Sequence, residues 1–526
     1  MAKSKDSRMT RTVSKRDVLK LAGLSAGVGA LGLSGCSQAE AGYDVIVVGG
    51  GNSGLPAAIF AGQRGAKVLV VEAADVVGGT LFLSSGQMSA AGTKLQLSKG
   101  IEDTAQSHYD DVMRISKNTA DPTLLKMATF NAAATFDWLT DNGFTVREGH
   151  PVTGTTHEPY SHARYAWGKD GGRSILEVLN KQLQPLVDSK KVTLMTSTEV
   201  VELITDKNGA ITGVVCKDDK GTSRQMGKSV VLTCGGYMYN PEMFKQMENA
   251  PIYSAMTWQY NLGAGYKLAT AVGGYIRGGQ NHTPLFGAIY PSEDFPSETS
   301  GMARHFPGDR PPWEIIVNAE GKRFLQEDIL SHDAYEQGLK AQPDERCWAV
   351  WDAEIFDKAP LFVRAQSGFG GGPGGGPEKA KEKVRQMFDE GAGHFFKADS
   401  VKDLAEKMKV NVAGLQETVD AYNKAQAGKG PDALGRKHMP LPIAKAPFYA
   451  VEIRSWGLTS YAGIAVNENL EVIKQDGKPI GNLYAAGELL GMGQMMGNSV
   501  CGGMSVTPAL TLGRLLGQKI LKLKNA

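Results

Sequence analysis

The chain has 526 residues, too many for one compact core, so we expect two packed domains with additional segments. Hydrophobic residues make up 42% of the chain and charged residues 21%, which excludes a disordered or fibrous protein. The formal net charge is +2, and no long basic run follows the N-terminus, so we expect no nucleic-acid partner. The five cysteines are too scattered for a CxxC metal site or a haem attachment motif, so we predict no metal site.

The N-terminal segment has the composition of an export signal. Several Lys and Arg residues in 1–20 precede Leu21–Gly35, an apolar run that carries no charge. The run is too short for a typical membrane-spanning helix, so residues 1–36 are interpreted as a cleaved signal. The alternative is a basic tail followed by an apolar stretch that arose by chance.

Two short stretches within this segment resemble known export motifs. Ser14–Lys20 is similar to a twin-arginine signal in which Lys replaces the first Arg, and Leu33–Cys36 resembles a lipoprotein box. We therefore expect export to the periplasm or the outer face of the cell membrane. Membrane attachment would occur only through a lipid on Cys36.

The next segment combines a strand, a glycine turn and a helix. Tyr43–Val48 is a β-branched run typical of a buried parallel strand, and a GxGxxG turn follows it directly. In that turn Gly49 permits the tight bend, Gly51 lets the backbone approach a pyrophosphate, and Gly54 allows close helix packing. A second strand ends at Glu72, an acid suited to the ribose hydroxyls of a dinucleotide other than NADP. The turn alone does not separate FAD from NAD.

Three later segments together resemble one flavoprotein family. They are Gly78–Thr93, Ser229–Tyr237 and Gly481–Glu488, and they are similar to FAD-contacting stretches of the fumarate reductase and 3-ketosteroid dehydrogenase superfamily. The resemblance implies that FAD is the cofactor. It also implies that the helix following Gly502–Gly503 directs its N-terminus, at Ser505 and Val506, toward the flavin.

The residues expected to bind FAD come from the glycine turn and from these family-like segments. They are Gly49, Gly51, Asn52, Ser53, Gly54, Glu72, Ala73, Gly78, Gly79, Thr80, Ser84, Ser85, Gly86, Val200, Cys234, Gly235, Gly236, Gly487, Glu488, Ser505 and Val506.

Two further resemblances suggest catalytic residues. Arg310–Phe324 resembles the fumarate reductase stretch whose leading arginine delivers a proton to the alkene, which would assign that role to Arg310. The alternative is that Arg310 binds a substrate carboxylate or pairs at the surface. His282, before Thr283, resembles the family's "HPT" histidine.

Other positions depart from the fumarate reductase pattern. Leu458–Ile464 lacks the family's histidine and Gly497–Gly503 lacks its arginine, so we do not expect fumarate as the substrate. Tyr461 could donate a hydrogen bond to a carbonyl oxygen, or could be an ordinary wall residue. The nearby methionines suit a flat hydrophobic ligand, or they fill the core beside the flavin. They are Met492, Met495, Met496 and Met504.

The resemblance implies an α/β fold with two domains. A Rossmann-like, glutathione-reductase-like FAD-binding domain would comprise residues 42–275 and 440–526. An inserted α+β capping or substrate domain would comprise residues 276–439.

The expected activity is reduction of an activated alkene by hydride transfer from flavin N5, with Arg310 as the proton donor. The substrate would be a small hydrophobic or monocarboxylate alkene, either an enoate or an enone. Electrons would come from a separate membrane or cytochrome-type donor. Two alternatives stay open: a 3-ketosteroid-type dehydrogenase that desaturates its substrate, and an exported flavin lipoprotein that relays electrons without a small substrate.

Overall fold

A computed structural model describes residues 42–154, 157–254, 256–297, 299–364 and 376–523, without the side chains of 376–379. The expected export signal and Cys36 lie outside the described residues. Among the residues that are described, no helix is both long enough and apolar enough to span a bilayer.

Strands and helices occur along the whole of the described part of the chain. In chain order the strands are β1 (Tyr43–Val48), β2 (Val68–Val71), β3 (Met88–Ser89), β4 (Tyr165–Ala166), β5 (Val192–Met195), β6 (Glu199–Thr205), β7 (Ile211–Asp218), β8 (Gly221–Leu232), β9 (Ile276–Arg277), β10 (Leu285–Ile289), β11 (Gly301–Ala303), β12 (Ile315–Val317), β13 (Arg346–Asp352), β14 (Val363–Arg364), β15 (Phe395–Ala398), β16 (Phe448–Trp456), β17 (Gly463–Ile464), β18 (Glu471–Ile473) and β19 (Pro479–Ala485). The α-helices are α1 (Gly54–Gln63), α2 (Lys94–Ser98), α3 (Ala105–Ile115), α4 (Pro122–Asp141), α5 (Gly171–Asp188), α6 (Pro241–Glu248), α7 (Ala264–Ala271), α8 (His332–Lys340), α9 (Ala353–Lys358), α10 (Gly376–Asp389), α11 (Val401–Met408), α12 (Val412–Gln426), α13 (Met492–Met495) and α14 (Val506–Leu515).

The first sheet has the strand order β18-β19-β8-β1-β2-β5, and β6 and β7 extend it beside β8. The neighbours from β19 to β5 are parallel. Val45 in β1 pairs with Val68 and Ser229, Val45–Val48 is buried, and helix α1 packs on this part of the sheet. Burial on both faces explains why β1 is an apolar run without alternation.

The second sheet is antiparallel and forms the cap. Its order is β12-β13-β16-β10-β11-β14, with β15 also pairing with β16. Buried residues such as Trp348 and Val350 form a hydrophobic cluster separate from the one around the first sheet. The architecture confirms an α/β nucleotide-binding domain with an inserted α+β cap.

The return to the first domain differs from the expected position. Strand β16 (Phe448–Trp456) pairs with β10, β13 and β15, so by sheet membership the chain leaves the cap after Trp456 and not at residue 440. A nearly continuously buried strand of this kind has the same sequence pattern in either sheet, so composition alone could not place it.

Candidate active site

A cavity of about 1810 Å³ lies along the carboxyl ends of the central parallel strands. Val48, Val71 and Thr233, at or just after the ends of β1, β2 and β8, line one part of it. Phe286, from the cap, lines another. Open α/β sheets bind ligands at this edge because the connecting loops there carry the binding groups.

The glycine turn forms the wall of the cavity at the end of β1. Gly49 has φ 101° and donates its N–H to Val71 O at 2.8 Å, so a left-handed residue closes the bend. A Cβ on Gly51 would meet no protein atom within 4 Å, whereas a Cβ on Gly54 would lie 1.9 Å from Gly49 O. The open side of Gly51 therefore faces the cavity, and Gly54 is needed for packing.

Two polar side chains in this turn have no partner within the described residues. Asn52 Oδ1 and Ser53 Oγ are buried without a hydrogen bond, and both residues line the cavity. Ser53 is the N-cap of α1, yet its side chain makes no capping bond. The Ser53 hydroxyl and the backbone N–H groups at this end of α1 could donate hydrogen bonds to the pyrophosphate of FAD, whereas Asn52 Oδ1 could accept one from another part of the cofactor.

Glu72 lies at the end of β2 and lines the same cavity. Its carboxylate accepts hydrogen bonds from Gly50 N at 2.8 Å and from Ala74 N at 2.9 Å. Burial raises the pKa of Glu72 above the ordinary value, although the backbone N–H groups oppose that shift. The position suits a contact to the ribose of FAD.

A second helix N-terminus faces the cavity at α14. Ser505 is its N-cap without a side-chain capping bond, and Ser505 and Val506 both line the cavity. Backbone N–H groups at this end could stabilise negative charge on a reduced flavin. The two helix ends and the orphaned turn side chains together fit a dinucleotide cofactor.

Glu488 also lines the cavity. Its Oε1 accepts from Ser460 N at 3.0 Å and from Ser460 Oγ at 3.1 Å, and its Oε2 accepts from Asn261 Nδ2 at 3.3 Å. Burial raises the pKa of Glu488 to about 7. A Cβ on Gly236 would lie 2.3 Å from Glu488 Oε1, so the carboxylate leaves no room for a side chain at this position.

Most residues expected to bind FAD line the cavity. They are Gly49, Gly51, Asn52, Ser53, Glu72, Ala73, Gly79, Thr80, Ser84, Ser85, Val200, Cys234, Gly235, Gly487, Glu488, Ser505 and Val506. The others, Gly54, Gly78, Gly86 and Gly236, lie behind the wall, where a Cβ would meet atoms of neighbouring segments within 3 Å. In the described part of the chain, no group of His, Cys, Asp and Glu could hold a metal ion.

His282 lines the cavity and lies between two carboxylates. Its Nδ1 is 2.6 Å from Glu248 Oε2 and its Nε2 is 2.8 Å from Glu345 Oε1. Burial alone would lower the pKa of His282, but the two carboxylates outweigh burial and raise the pKa to about 9. The imidazole is therefore protonated at neutral pH and donates both N–H groups.

Tyr461 lies beside this histidine on the cavity wall. The two ring centroids are 5.6 Å apart in an edge-on arrangement, and Tyr461 N donates to Glu248 Oε1 at 2.6 Å. Its side chain also hydrogen-bonds with that of Thr283. Burial raises the pKa of Tyr461, so the phenol keeps its proton and can donate it in a hydrogen bond.

Arg310 is placed differently from His282 and Tyr461. It is 2% exposed and is not among the residues that line the cavity. Its guanidinium donates to Glu314 Oε1 at 3.0 Å and to Pro360 O at 2.8 Å, and a second nitrogen is 2.8 Å from Glu314 Oε2. Proton donation by Arg310 stays a prediction, one that this geometry does not favour.

A further group of cavity residues was not predicted from the sequence. The cavity is also lined by His157, His305, His332 and Glu336, and the His332 ring stacks on Phe306 with the ring centroids 3.7 Å apart. These residues match no motif. The only sequence signal is the four-residue spacing of His332 and Glu336, which places both on one face of α8.

Comparison with known proteins agrees with the fold and the cavity. A family model described as an FAD binding domain matches residues 44–506. The chain is 28% identical to a probable fumarate reductase of Shewanella frigidimarina, over 91% of this chain and 74% of that protein. It is also 28% identical to a vinyl phenol reductase of Lactiplantibacillus plantarum, over 85% of this chain and 89% of that protein.

Among solved structures, the fold resembles that of 3-ketosteroid Δ1-dehydrogenase from Sterolibacterium denitrificans in complex with 1,4-androstadiene-3,17-dione. The TM-score is 0.69 at 18% identity, covering 91% of this chain and 99% of that one. At this identity the likeness supports the fold alone.

Proposed function

The chain belongs to the flavoprotein family defined by this FAD binding domain, and from that membership we propose that it reduces an apolar, carbonyl-activated alkene. As a family member it is a flavin-dependent oxidoreductase that acts on carbon–carbon double bonds, with FAD as its cofactor. The observation that carries this proposal is that the cavity which fits FAD also has on its wall Tyr461, a hydrogen-bond donor beside His282.

The cavity wall supports an apolar substrate. The side chains that line the cavity include aromatic rings and thioethers, which offer soft, flat surfaces to a planar ligand. They include Phe244, Met256, Trp258, Phe286, Met302, Phe306, Trp456, Met492 and Met496. Arg304 also lines the cavity, so a single carboxylate could be accommodated, which agrees with either an enone or an enoate.

The position of Tyr461 suggests how the alkene is activated. Reduced FAD, when bound, would supply a hydride for the β-carbon of the alkene. The Tyr461 phenol would donate a hydrogen bond to the activating carbonyl oxygen, which gains negative charge as the hydride arrives. The protonated His282 gives both of its N–H groups to Glu248 and Glu345, so it would position the neighbouring Tyr461 and leave the contact with the carbonyl to the Tyr461 phenol.

We propose that electrons reach the flavin from a separate membrane or cytochrome-type donor. The cysteine spacing offers no haem attachment motif, so this chain would depend on another protein for electrons. Export through the 1–36 segment, with a lipid on Cys36, would place the protein at the outer face of the cell membrane. Mass spectrometry of the processed N-terminus would test that placement.

Reoxidation of the flavin tests the proposed reaction. The FAD-loaded protein is reduced chemically without oxygen, and flavin absorbance is followed after addition of enones, aryl enoates, fumarate or steroid enones. We expect fast reoxidation by apolar enones or enoates and slow reoxidation by fumarate. If no alkene reoxidised the flavin but an oxidised cytochrome did, the electron-relay alternative would replace this proposal. Reduction of the oxidised flavin by a saturated ketosteroid would favour the dehydrogenase.

A further inference from the structure

Helix α8 presents one face to the cavity. His332 and Glu336 line it, and Lys340, one further turn along, donates to His282 O. Residues four apart lie on the same side of a helix, so this face runs from the cavity to the histidine between the two carboxylates. Glu336 is the carboxyl group at the middle of that face.

Among the described residues, Glu336 forms no ion pair with a Lys or Arg, and the residue is 4% exposed. The Nδ1 of His157 lies 3.9 Å from Glu336 Oε1. Burial, and then His332, lower the pKa of His157 to about 3, so that imidazole is neutral and does not compensate a carboxylate.

The other titratable groups that interact with Glu336 are acids. They are Asp333 on its own helix, Glu158 on the loop that carries His157, and Tyr461 and Cys501. His332 lies one turn earlier on the same helix face and also lines the cavity. Burial, with further contributions from Asp333 and Glu158, raises the pKa of Glu336 well above the ordinary value. A buried carboxyl without a Lys or Arg partner holds its proton at neutral pH because ionisation would be too costly.

We infer that Glu336 is the general acid of the reaction, an assignment that rests on the proposed alkene reduction. As the hydride bonds to the β-carbon, the π-bond breaks and its electron pair moves to the α-carbon. The α-carbon takes the proton from Glu336 Oε, so two C–H bonds form and the alkene becomes saturated. The carboxylate left on Glu336 then regains a proton from water. Unlike Arg310, Glu336 lines the cavity and has its proton free to transfer.

The decisive variant is Glu336→Gln, which keeps the shape of the side chain and removes its acidic proton. Reduced, FAD-loaded protein is mixed with an alkene that reoxidises the wild type. Positioned acids contribute about 10²- to 10⁴-fold to such steps, so we expect reoxidation at pH 7 to slow by about 100-fold or more. Substrate affinity should change little. A wild-type rate in Glu336→Gln would overturn the assignment and leave the proposed function intact, because that function requires only that the wild type turns over.

The pH profile separates acid catalysis from a structural role. A general acid acts in its protonated form, so the wild-type rate should fall as pH rises through the pKa of Glu336, and Glu336→Gln should lack this falling limb. Asp333→Asn is the matched control: it removes a carboxylate from the same helix, outside the cavity lining, and should keep the limb, shifted to lower pH because Asp333 contributes to the raised pKa of Glu336. Loss of the limb in Asp333→Asn, or its persistence in Glu336→Gln, would contradict the inference.

A readout independent of turnover is the infrared spectrum of the holoenzyme at pH 7. The wild type minus Glu336→Gln difference should contain the C=O band of a protonated carboxylic acid, and its absence would contradict the inference. If Glu336→Gln failed to retain FAD, Glu336→Asp would decide instead. We expect the flavin of Glu336→Asp to be reoxidised at least about 10-fold more slowly, with the falling limb of the pH profile retained but shifted to a different pH. An unchanged rate and profile would overturn the inference.

Discussion

His282 holds a positive charge between Glu248 and Glu345, and this makes stability depend on pH. Its pKa is about 9 in the folded chain and about 6.5 when unfolded, so the folded state holds the proton more tightly. The stabilisation is complete below pH 6.5 and is lost as pH rises to about 9. At about 1.4 kcal/mol per pKa unit, we expect the free energy of unfolding to fall by a few kcal/mol over this range in urea titrations.

The control for this prediction is His282→Gln. This variant leaves two carboxylates unpaired and should be less stable at pH 6.5 by about 3–5 kcal/mol. Its decline between pH 6.5 and pH 9 should be shallower than that of the wild type. Parallel stability curves for the two proteins would show that His282 does not carry the proton.

His282 and its neighbours show which features of the site can be predicted from the sequence and which cannot. His282 and Tyr461 stood out as candidates, but Glu248 and Glu345 lie 34 and 63 residues from His282 and carry no motif. The sequence around Arg310 resembles a catalytic stretch, yet the guanidinium of Arg310 pairs with Glu314, four residues later in the chain. A motif gives the residue type at a position, whereas the direction of a long side chain depends on the groups packed around it.

Two glycines of the turn between β1 and α1 allow a matched pair of substitutions that separates FAD binding from packing. The Cβ of Gly51→Ala would meet no protein atom within 4 Å, so the fold should keep its stability while the approach of the pyrophosphate is blocked. We expect at least a 10-fold loss of FAD affinity, measured by fluorescence titration of the FAD-free protein. The Cβ of Gly54→Ala would lie 1.9 Å from Gly49 O, so this variant should be destabilised even without FAD. Equal FAD affinity in Gly51→Ala and the wild type would refute the expected role of the turn.

At the scale of elements, this strand–turn–helix unit could be predicted from the sequence because the contacts that define its turn are local. β1, the turn and α1 are consecutive, and the spacing of the glycines alone encodes the close approach of helix and strand. α8 was not recognised because its function depends on packing against distant loops. Gln337 donates to Asn498 O at 2.8 Å and Lys117 pairs with Asp333 at 2.6 Å, so residues far apart in sequence position this helix.

At the scale of the whole molecule, one cavity is shared by two hydrophobic clusters. The cluster around the first sheet supplies the FAD-binding turns, and the cluster of the cap supplies the wall that carries Phe286. The fold class and the order of domains followed from the sequence, because family-like segments flank the cap on both sides. The end of the cap at Trp456 could not be predicted from the sequence, because the residue pattern of β16 fits a strand of either sheet.

Because both domains build the cavity wall, FAD should stabilise the folded chain as a unit. A ligand that binds only the native state adds about 2.7 kcal/mol at a concentration 100 times its dissociation constant. We expect one calorimetric unfolding transition whose midpoint rises with FAD concentration, since α8 ties the cap to the first domain through Asn498 and Lys117. Gly51→Ala should show the same rise only at higher FAD concentration. A midpoint independent of FAD, or a cap transition that stays fixed while the other moves, would show that the cofactor does not couple the two domains.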